Sequence, residues 1–337
     1  MILQTNVKLN FGLNVIRKRP DGYHDIETLF VPCDEFGDTL EVITGDDYSR
    51  TSASLFARYS SFDYPEEQPA LGDTQPQRNE DGLRRGRTAP PELGGKLAQG
   101  ISEDGKLMIT IAREDGVDWE PLKDLCAKAY YLLDNDFHLP PVKIFLEKKA
   151  PVGAGLGGGS ADAAFTLKAI NELCSLGLSN ESLAEYASRL GSDCAFFVWN
   201  RPMIGTGRGE ILEPFDVDLS GYEVKVLVPE GISVSTAEAY RGIVPRDRSF
   251  ADAQDDKRAA QDDMVLASLP LGADIFKEVL RRPVEEWKGL VVNDFETTVF
   301  KAHPELAAIK QSLYDSGAVY AAMSGSGSAM FGIYKKQ

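Results

Sequence analysis

A mixed fold of strands and helices is what this sequence predicts, and three observations carry the expectation. Residues 142–148 (VKIFLEK) alternate as a strand does, residues 151–164 (PVGAGLGGGSADAA) form a glycine-rich loop, and a helical run follows at once. Residues 2–16 (ILQTNVKLNFGLNVI) alternate as well and lead into Pro20-Asp21-Gly22, a turn signal. The last strands, within 318–334 (AVYAAMSGSGSAMFGIY), straddle a second glycine turn at 324–328.

Taken in order, the first strand puts Lys8, Asn10 and Gly12 on one side and Val7, Leu9, Phe11 and Leu13 on the other. Residues 25–31 read as the returning strand, so a hairpin brings Lys8, Asn10, Tyr23 and His24 near one another. From about 45 to 100 the chain turns to Pro, Gly, Gln, Arg and Ser with little periodicity, as disordered or long surface excursions do. A strand lies within 101–111, and 121–135 (PLKDLCAKAYYLLDN) reads as a helix with Leu122, Leu125, Ala129 and Leu132 inward. Another helix spans 182–190. Asp193 then enters an apolar run, CAFFVW, that reads as a strand. A carboxylate there is costly unless paired, so Asp193 is either a turn or cap residue or a group with chemistry to do. The turn at 203–210 (MIGTGRGE) reads as scaffold. Residues 222–228 are a strong strand closed by Pro229, and the next helix starts at Ser235 or Thr236, either of which suits an N-cap. The segment 246–263 is charged and nearly repeats itself, a low-complexity pattern. A further helix is expected over 303–317.

Composition narrows the class. At 337 residues with 43% hydrophobic content, the chain suits one large globular domain or two moderate ones. A net charge of −16 argues against nucleic acid or an anionic membrane as the main partner, but not against a nucleotide at a local site. The N-terminus has no basic, apolar leader and no run is long enough for a membrane helix, so a cytoplasmic location is expected. Cys33, Cys126, Cys174 and Cys194 show no CxxC spacing and read as reduced thiols. Monomer and homodimer are both open.

The loop at 151–161 is the centre of the functional reading. Glycines let the backbone take positive φ and approach a ligand, and free amides before a helix suit an anion such as phosphate. A Rossmann turn is the first alternative, since Gly153, Gly155 and Gly158 satisfy GxGxxG, but no strand with an acidic end follows. A P-loop needs a lysine that this loop lacks.

PVGAGLGGGSADAA closely resembles the ATP loop of the GHMP kinases. The span from Lys8 to His24, K-x-N followed by DGYH, is similar to the opening of one branch of that family, whose acceptor is a cytidine-diphosphate sugar alcohol. G-S-D-x-x-F-F around Asp193 resembles the family's catalytic aspartate, and residues 324–328 its third motif. The resemblance implies an α+β fold. It has an N-terminal domain like domain 2 of ribosomal protein S5 over 1–215, with about 45–100 an insertion. A ferredoxin-like C-terminal domain covers 216–337, with about 246–263 a second insertion.

It also implies a phosphotransferase of the non-mevalonate isoprenoid pathway. ATP would be the donor, Mg²⁺ the companion ion, and the 2-hydroxyl of 4-(cytidine 5′-diphospho)-2-C-methyl-D-erythritol the acceptor. Asp193 and Lys8 would be catalytic. Asn10, Tyr23, His24, Thr236 and Tyr240 would bind the acceptor, with the Tyr23 ring and His24 at the cytosine. ATP would lie on Pro151, Val152, Gly153, Ala154, Gly155, Leu156, Gly157, Gly158, Gly159, Ser160 and Ala161, with Lys148 near the adenine and Ser160 facing phosphate or Mg²⁺. Two departures stand out: Asp124 replaces a usual asparagine, and Ala161 a more frequent second serine. Homoserine- or mevalonate-type kinases and a non-catalytic nucleotide-binding module remain the alternatives.

Overall fold

The structure, a computed structural model, describes residues 1–44, 96–245 and 274–336. Residues 45–95 of the excursion expected over about 45–100, and the low-complexity segment 246–263, lie outside the described residues. Residues 96–100 do not continue that excursion, because Leu97–Ile101 is a strand. Contacts divide the chain into two compact units of interleaved segments. One comprises Met1–Thr5, Asp38–Lys149 and Asp162–Ser179, the other Asn6–Gly37, Ala150–Ala161 and Asn180–Gln337. These units cut the chain differently from the division 1–215 and 216–337.

The first unit is built on a five-stranded sheet. Its strands are β1 (Ile2–Gln4), β4 (Thr39–Thr44), β7 (Val142–Lys148), β6 (Leu107–Arg113) and β5 (Leu97–Ile101), in that spatial order. Only β6 and β7 pair in parallel, and helix α1 (Leu125–Phe137) lies between them in sequence, as a parallel crossover requires. Leu40, Val42, Leu107, Ile109, Ile111 and Leu146 are fully buried on this sheet. Helix α1 turns a different face inward from the one the sequence suggests: Cys126, Ala129, Tyr130 and Leu133 are buried, while Leu122, Leu125 and Leu132 are only half-buried. The reason is where the helix starts. Residues Pro121–Lys123 form a 3-10 turn, and Asp124 caps the α-helix proper, its Oδ1 accepting from the Cys126 amide at 2.8 Å and its Oδ2 from Trp119 Nε1 at 3.0 Å. Asp124→Ala is expected to cost about 1 kcal/mol, the usual worth of an N-cap, as a lowered urea midpoint with an unchanged slope.

The second unit holds two antiparallel sheets. Strands β2 (Val7–Lys18), β3 (His24–Cys33), β8 (Met203–Thr206) and β9 (Ile211–Pro214) form one, in that order. Strands β10 (Tyr222–Leu227), β12 (Met330–Lys335) and β11 (Tyr320–Met323) form the other. The single strand expected over 2–16 is broken at Thr5 and Asn6, where the chain passes from one unit to the other.

The β2–β3 hairpin pairs Lys8 with Pro32, Asn10 with Phe30 and Lys18 with His24, and its register slips between Phe11 and Leu13. The slip is a bulge at Gly12, whose φ of 69° and close neighbours leave no room for a Cβ. A bulge reverses the alternation beyond it. Leu13 therefore shares the cavity-facing side with Lys8 and Asn10 instead of opposing them.

Aromatic side chains dominate this unit's core. Phe11 stacks on Phe331 at 5.0 Å and meets Trp287 edge-on at 5.9 Å, and Trp287 meets Tyr320 at 5.6 Å. Their polar ends are satisfied: Trp287 Nε1 donates to Arg282 O, and the Tyr320 hydroxyl to Val291 O. A second cluster gathers Leu13, Val15, Phe295, Val299, Leu306, Met323 and Met330.

CAFFVW is not the strand it resembles. Residues Cys194–Trp199 form a short helix whose first five side chains are all buried. Complete burial erases the amphipathic period, so the run's β-forming residues read as a strand.

Candidate active site

Within the second unit a cavity of about 780 Å³ is lined by several separate segments. The β2–β3 hairpin supplies Lys8, Asn10, Tyr23, His24 and Phe30, the glycine loop Gly153, Gly155 and Gly157, the helix junction Ser192 and Asp193, and the 233–240 segment Thr236 and Tyr240. Gly325 and Ser326 of the second glycine turn complete the wall.

The Lys8 ammonium is the centre of the wall's charge. Its side chain is 4% exposed and passes Gly157, where a Cβ would come within 3.2 Å of Lys8 Cε. Nζ donates to Asn10 Oδ1 at 2.5 Å and to Gly155 O at 3.1 Å, and lies 3.4 Å from Asp193 Oδ2. The Lys8 amide also donates to Leu156 O at 2.9 Å. Lysine is thus locked to the glycine loop by main chain and side chain together. Asn10 orients it. The amide Nδ2 of Asn10 donates to Thr28 Oγ1, leaving Oδ1 turned toward the ammonium.

Asp193 follows the helix α3 (Asn180–Leu190) and precedes Cys194–Trp199. It occupies the N-cap position of the latter, yet its side chain makes no cap bond. The carboxylate is one-third exposed at the cavity and paired with Lys8. Its side chain therefore does not cap that helix but faces the cavity from a turn.

The glycine loop takes positive φ at Gly153, Gly155 and Gly157, and helix α2 (Gly158–Leu173) begins directly after. Ala154, Leu156 and Ala161 point into the protein and are buried, whereas Val152 and Gly159 are exposed. Gly155 is the tightest position. A Cβ there would lie 2.4 Å from Ser324 O and 3.1 Å from Gly327 N. The two glycine turns thus pack backbone against backbone, linked by Ala329 N to Ala154 O at 3.1 Å and by Ser324 Oγ to Gly155 O at 3.4 Å. Ser160 turns toward the buried Cys194 thiol, whose pKa is pushed up to about 12, chiefly by burial.

The far end of the cavity is aromatic. His24 and Tyr240 stack at 4.5 Å with planes 13° apart, and Phe295 meets Tyr240 edge-on at 4.7 Å. Burial, and then the charge of Lys18, hold the His24 imidazole below the ordinary histidine pKa. Burial, and then Asp193, push the Tyr240 phenol up to about 12. Tyr23 is 57% exposed, with the Arg208 guanidinium 5.0 Å above its ring. Ser235 is the N-cap of the short helix Thr236–Tyr240, accepting from the Glu238 amide at 3.1 Å, so the Thr236 hydroxyl is not spent on capping.

Lys148, expected near the adenine, ends the strand before the glycine loop. It belongs to the first unit, where its ammonium pairs with Asp38 and Asp162, and it is not among the cavity's lining residues. Two contributors escaped the sequence reading. Arg208, in the turn taken as scaffold, lines the cavity. Asn293 donates to both Met323 O and Gly325 O at 2.8 Å and so pins the second glycine turn. Its only trace in the sequence is a polar NDF after an apolar run.

Known proteins resemble this chain along its whole length. The family model described as the GHMP kinases N terminal domain matches residues 124–201, and the GHMP kinases C terminal model matches 275–337. A curated relative from Bacteroides fragilis, named 4-diphosphocytidyl-2-C-methyl-D-erythritol kinase, is 39% identical over all of this chain and 93% of its own length. A relative of the same name from Bacteroides thetaiotaomicron is 36% identical with the same coverage. A crystal structure of 4-(cytidine 5′-diphospho)-2C-methyl-D-erythritol kinase aligns at 25% identity and a TM-score of 0.60, covering 98% of this chain and 89% of that one. The Methanococcus jannaschii mevalonate kinase shares the fold at 12% identity and a TM-score of 0.57, covering 99% and 90%. The expected α+β fold is therefore that of a GHMP kinase, and the chain belongs to the GHMP kinase family.

Proposed function

We propose that this chain is an ATP-dependent kinase that phosphorylates the 2-hydroxyl of 4-(cytidine 5′-diphospho)-2-C-methyl-D-erythritol, in the non-mevalonate route to isoprenoids. The observation that carries the reading is the 3.4 Å pairing of Lys8 with Asp193 on a cavity walled by a glycine loop. Full-length relatives bearing that enzyme's name support it. We keep 1–215 and 216–337 as N- and C-terminal domains; the two family models match on either side of that boundary.

In this reading the triphosphate lies along residues 153–160, where positive-φ glycines and the start of a sixteen-residue helix favour an anion. The cytosine lies by Tyr23 and His24, with Thr236 and Tyr240 on the acceptor. Asp193 accepts the proton of the acceptor hydroxyl as the new O–P bond forms and the bond from the γ-phosphorus to ADP breaks. Lys8 offsets negative charge at the transferring group. Little covalent chemistry falls to the protein, so positioning and charge supply most of the acceleration. Among the described residues no cluster of three or more His, Cys, Asp or Glu could hold a metal. Ser160, the one hydroxyl in the loop at 151–161, would be the residue to help hold Mg²⁺ beside the nucleotide's phosphates. The ion would supply charge neutralisation there.

The test is ATP consumption with three acceptors: the cytidine-diphosphate methylerythritol, homoserine and mevalonate. Turnover with the first alone is expected. Turnover only with homoserine or mevalonate overturns the acceptor, and ATP binding without turnover on any of them favours a binding module.

His24 yields a pH prediction. Its pKa is lowered, so the neutral imidazole prevails at neutral pH and is lost as pH falls through the lowered value. The acceptor's KM should therefore be flat from neutral pH upward and climb below the ordinary histidine range. In His24→Gln that acid limb should vanish, which a KM–pH profile reads directly.

A further inference from the structure

A buried charged cluster in the first unit has no part in the cavity described above. Lys148 Nζ pairs with Asp38 and, at 2.6 Å, with Asp162 Oδ2; the three side chains are 5%, 0% and 1% exposed. The carboxylates are held in turn. Asp38 Oδ1 accepts from the Lys149 amide at 2.6 Å, and Asp162 Oδ1 from Thr5 Oγ1 at 3.0 Å. Thr5 Oγ1 also accepts from the Asp38 amide at 3.0 Å, and the Thr5 amide donates to Asp38 O at 2.9 Å.

Such a cluster is expensive. Two carboxylates face one ammonium away from water, and well-packed apolar residues often serve stability as well or better. Burial works against the Asp162 carboxylate, and the Lys148 ammonium beside it works in its favour. What an ion cluster supplies and an apolar one does not is a definite geometry with few alternatives.

The positions of its members say what that geometry controls. Lys148 ends β7, immediately before the glycine loop, and Asp162 lies in helix α2, immediately after it. One ion pair thus joins the two chain ends of the loop, and the Asp38 bond to the Lys149 amide fixes the first of them again. A loop rich in glycine has many conformations, and the spacing of its ends decides how many survive. We propose that Asp38, Lys148 and Asp162 act as a clamp that closes the ends of the glycine loop and holds it ready for the nucleotide's phosphates. They are positioning residues, and Lys148 is not itself a nucleotide contact. The proposal rests on the kinase reading.

The readout is ATP binding to the full-length protein by calorimetry, which needs no acceptor. Asp162→Asn keeps the side chain's size, removes its charge and turns one acceptor oxygen into a donor. It is expected to weaken ATP binding about tenfold, roughly 1.4 kcal/mol, while kcat at saturating ATP and the acceptor's KM stay within about twofold. Lys148→Met should weaken it by a similar factor, and the double variant no more than the worse single one, because the two residues act as one unit. Asp38→Asn should follow suit although it has no reason to touch a nucleotide. Where Lys148→Met does not fold, Lys148→Arg with Asp162→Asn carries the comparison. Additive losses, or a loss confined to Lys148 with both aspartate variants like wild type, would overturn the clamp and leave Lys148 as a direct contact. A wild-type protein that fails to bind ATP overturns the kinase reading and the clamp with it; wild-type binding with unchanged variants overturns the clamp alone.

Discussion

Asp193→Asn is expected to lose about 10²–10⁴ of its turnover, the usual worth of a positioned acid or base, while ATP still binds. The geometry explains why the loss falls on kcat. The carboxylate makes no cap bond to the helix it precedes, so replacing it leaves Cys194–Trp199 intact. Its partner, Lys8, keeps two further acceptors, Asn10 Oδ1 and Gly155 O, and is not stranded by the change. The loop that would carry the triphosphate is therefore undisturbed. Stopped-time assays at saturating ATP and acceptor, together with calorimetry of ATP alone, separate the two effects. An Asp193→Asn protein with wild-type turnover would remove the proposed base. One that neither turns over nor binds ATP would show that the residue is structural.

Gly155→Ala is expected to abolish measurable ATP binding, through the backbone alone. A positive φ costs a residue with a Cβ about 1–3 kcal/mol, and Gly155 has a φ of 77°. The larger part is steric. The new methyl would sit 2.4 Å from Ser324 O, a main-chain atom in a turn that Asn293 holds by two hydrogen bonds. It cannot move aside as a side chain would, so the two glycine turns must separate. Gly177→Ala is the control: φ there is 69° with nothing within 4 Å of the added carbon, so it carries the conformational cost without the collision. If both variants bind ATP equally well, the packing of the two turns has no bearing on the nucleotide.

Much of this site was legible beforehand, because its residues lie in local patterns. A glycine loop between strand and helix announces itself by composition. A Pro-Asp-Gly turn between alternating runs sets a hairpin, and with it the neighbourhood of Lys8, Asn10, Tyr23 and His24. The errors have local causes too. CAFFVW reads as a strand because burial of its first five side chains leaves no helical period to see. Leu13 was placed opposite Lys8 because a one-residue bulge at Gly12 reverses the alternation without changing composition. The inward face of α1 was set off by where its cap falls, at Asp124 and not at Pro121.

By itself, the sequence determined which groups are present: main-chain amides in a glycine loop ahead of a helix, a lysine and an asparagine on one strand, an aspartate before an apolar run, and aromatic rings past a turn. Those depend on residue type and short-range spacing, which a string of letters carries in full. Only the tertiary structure decided which charges meet. It paired Lys8 with Asp193 across the cavity and gave Lys148 to Asp38 and Asp162 in a dry interior, though both lysines look alike in the sequence. The reason is that a charge's partner is set by chain segments folded together from far apart, and its worth by how much water they exclude.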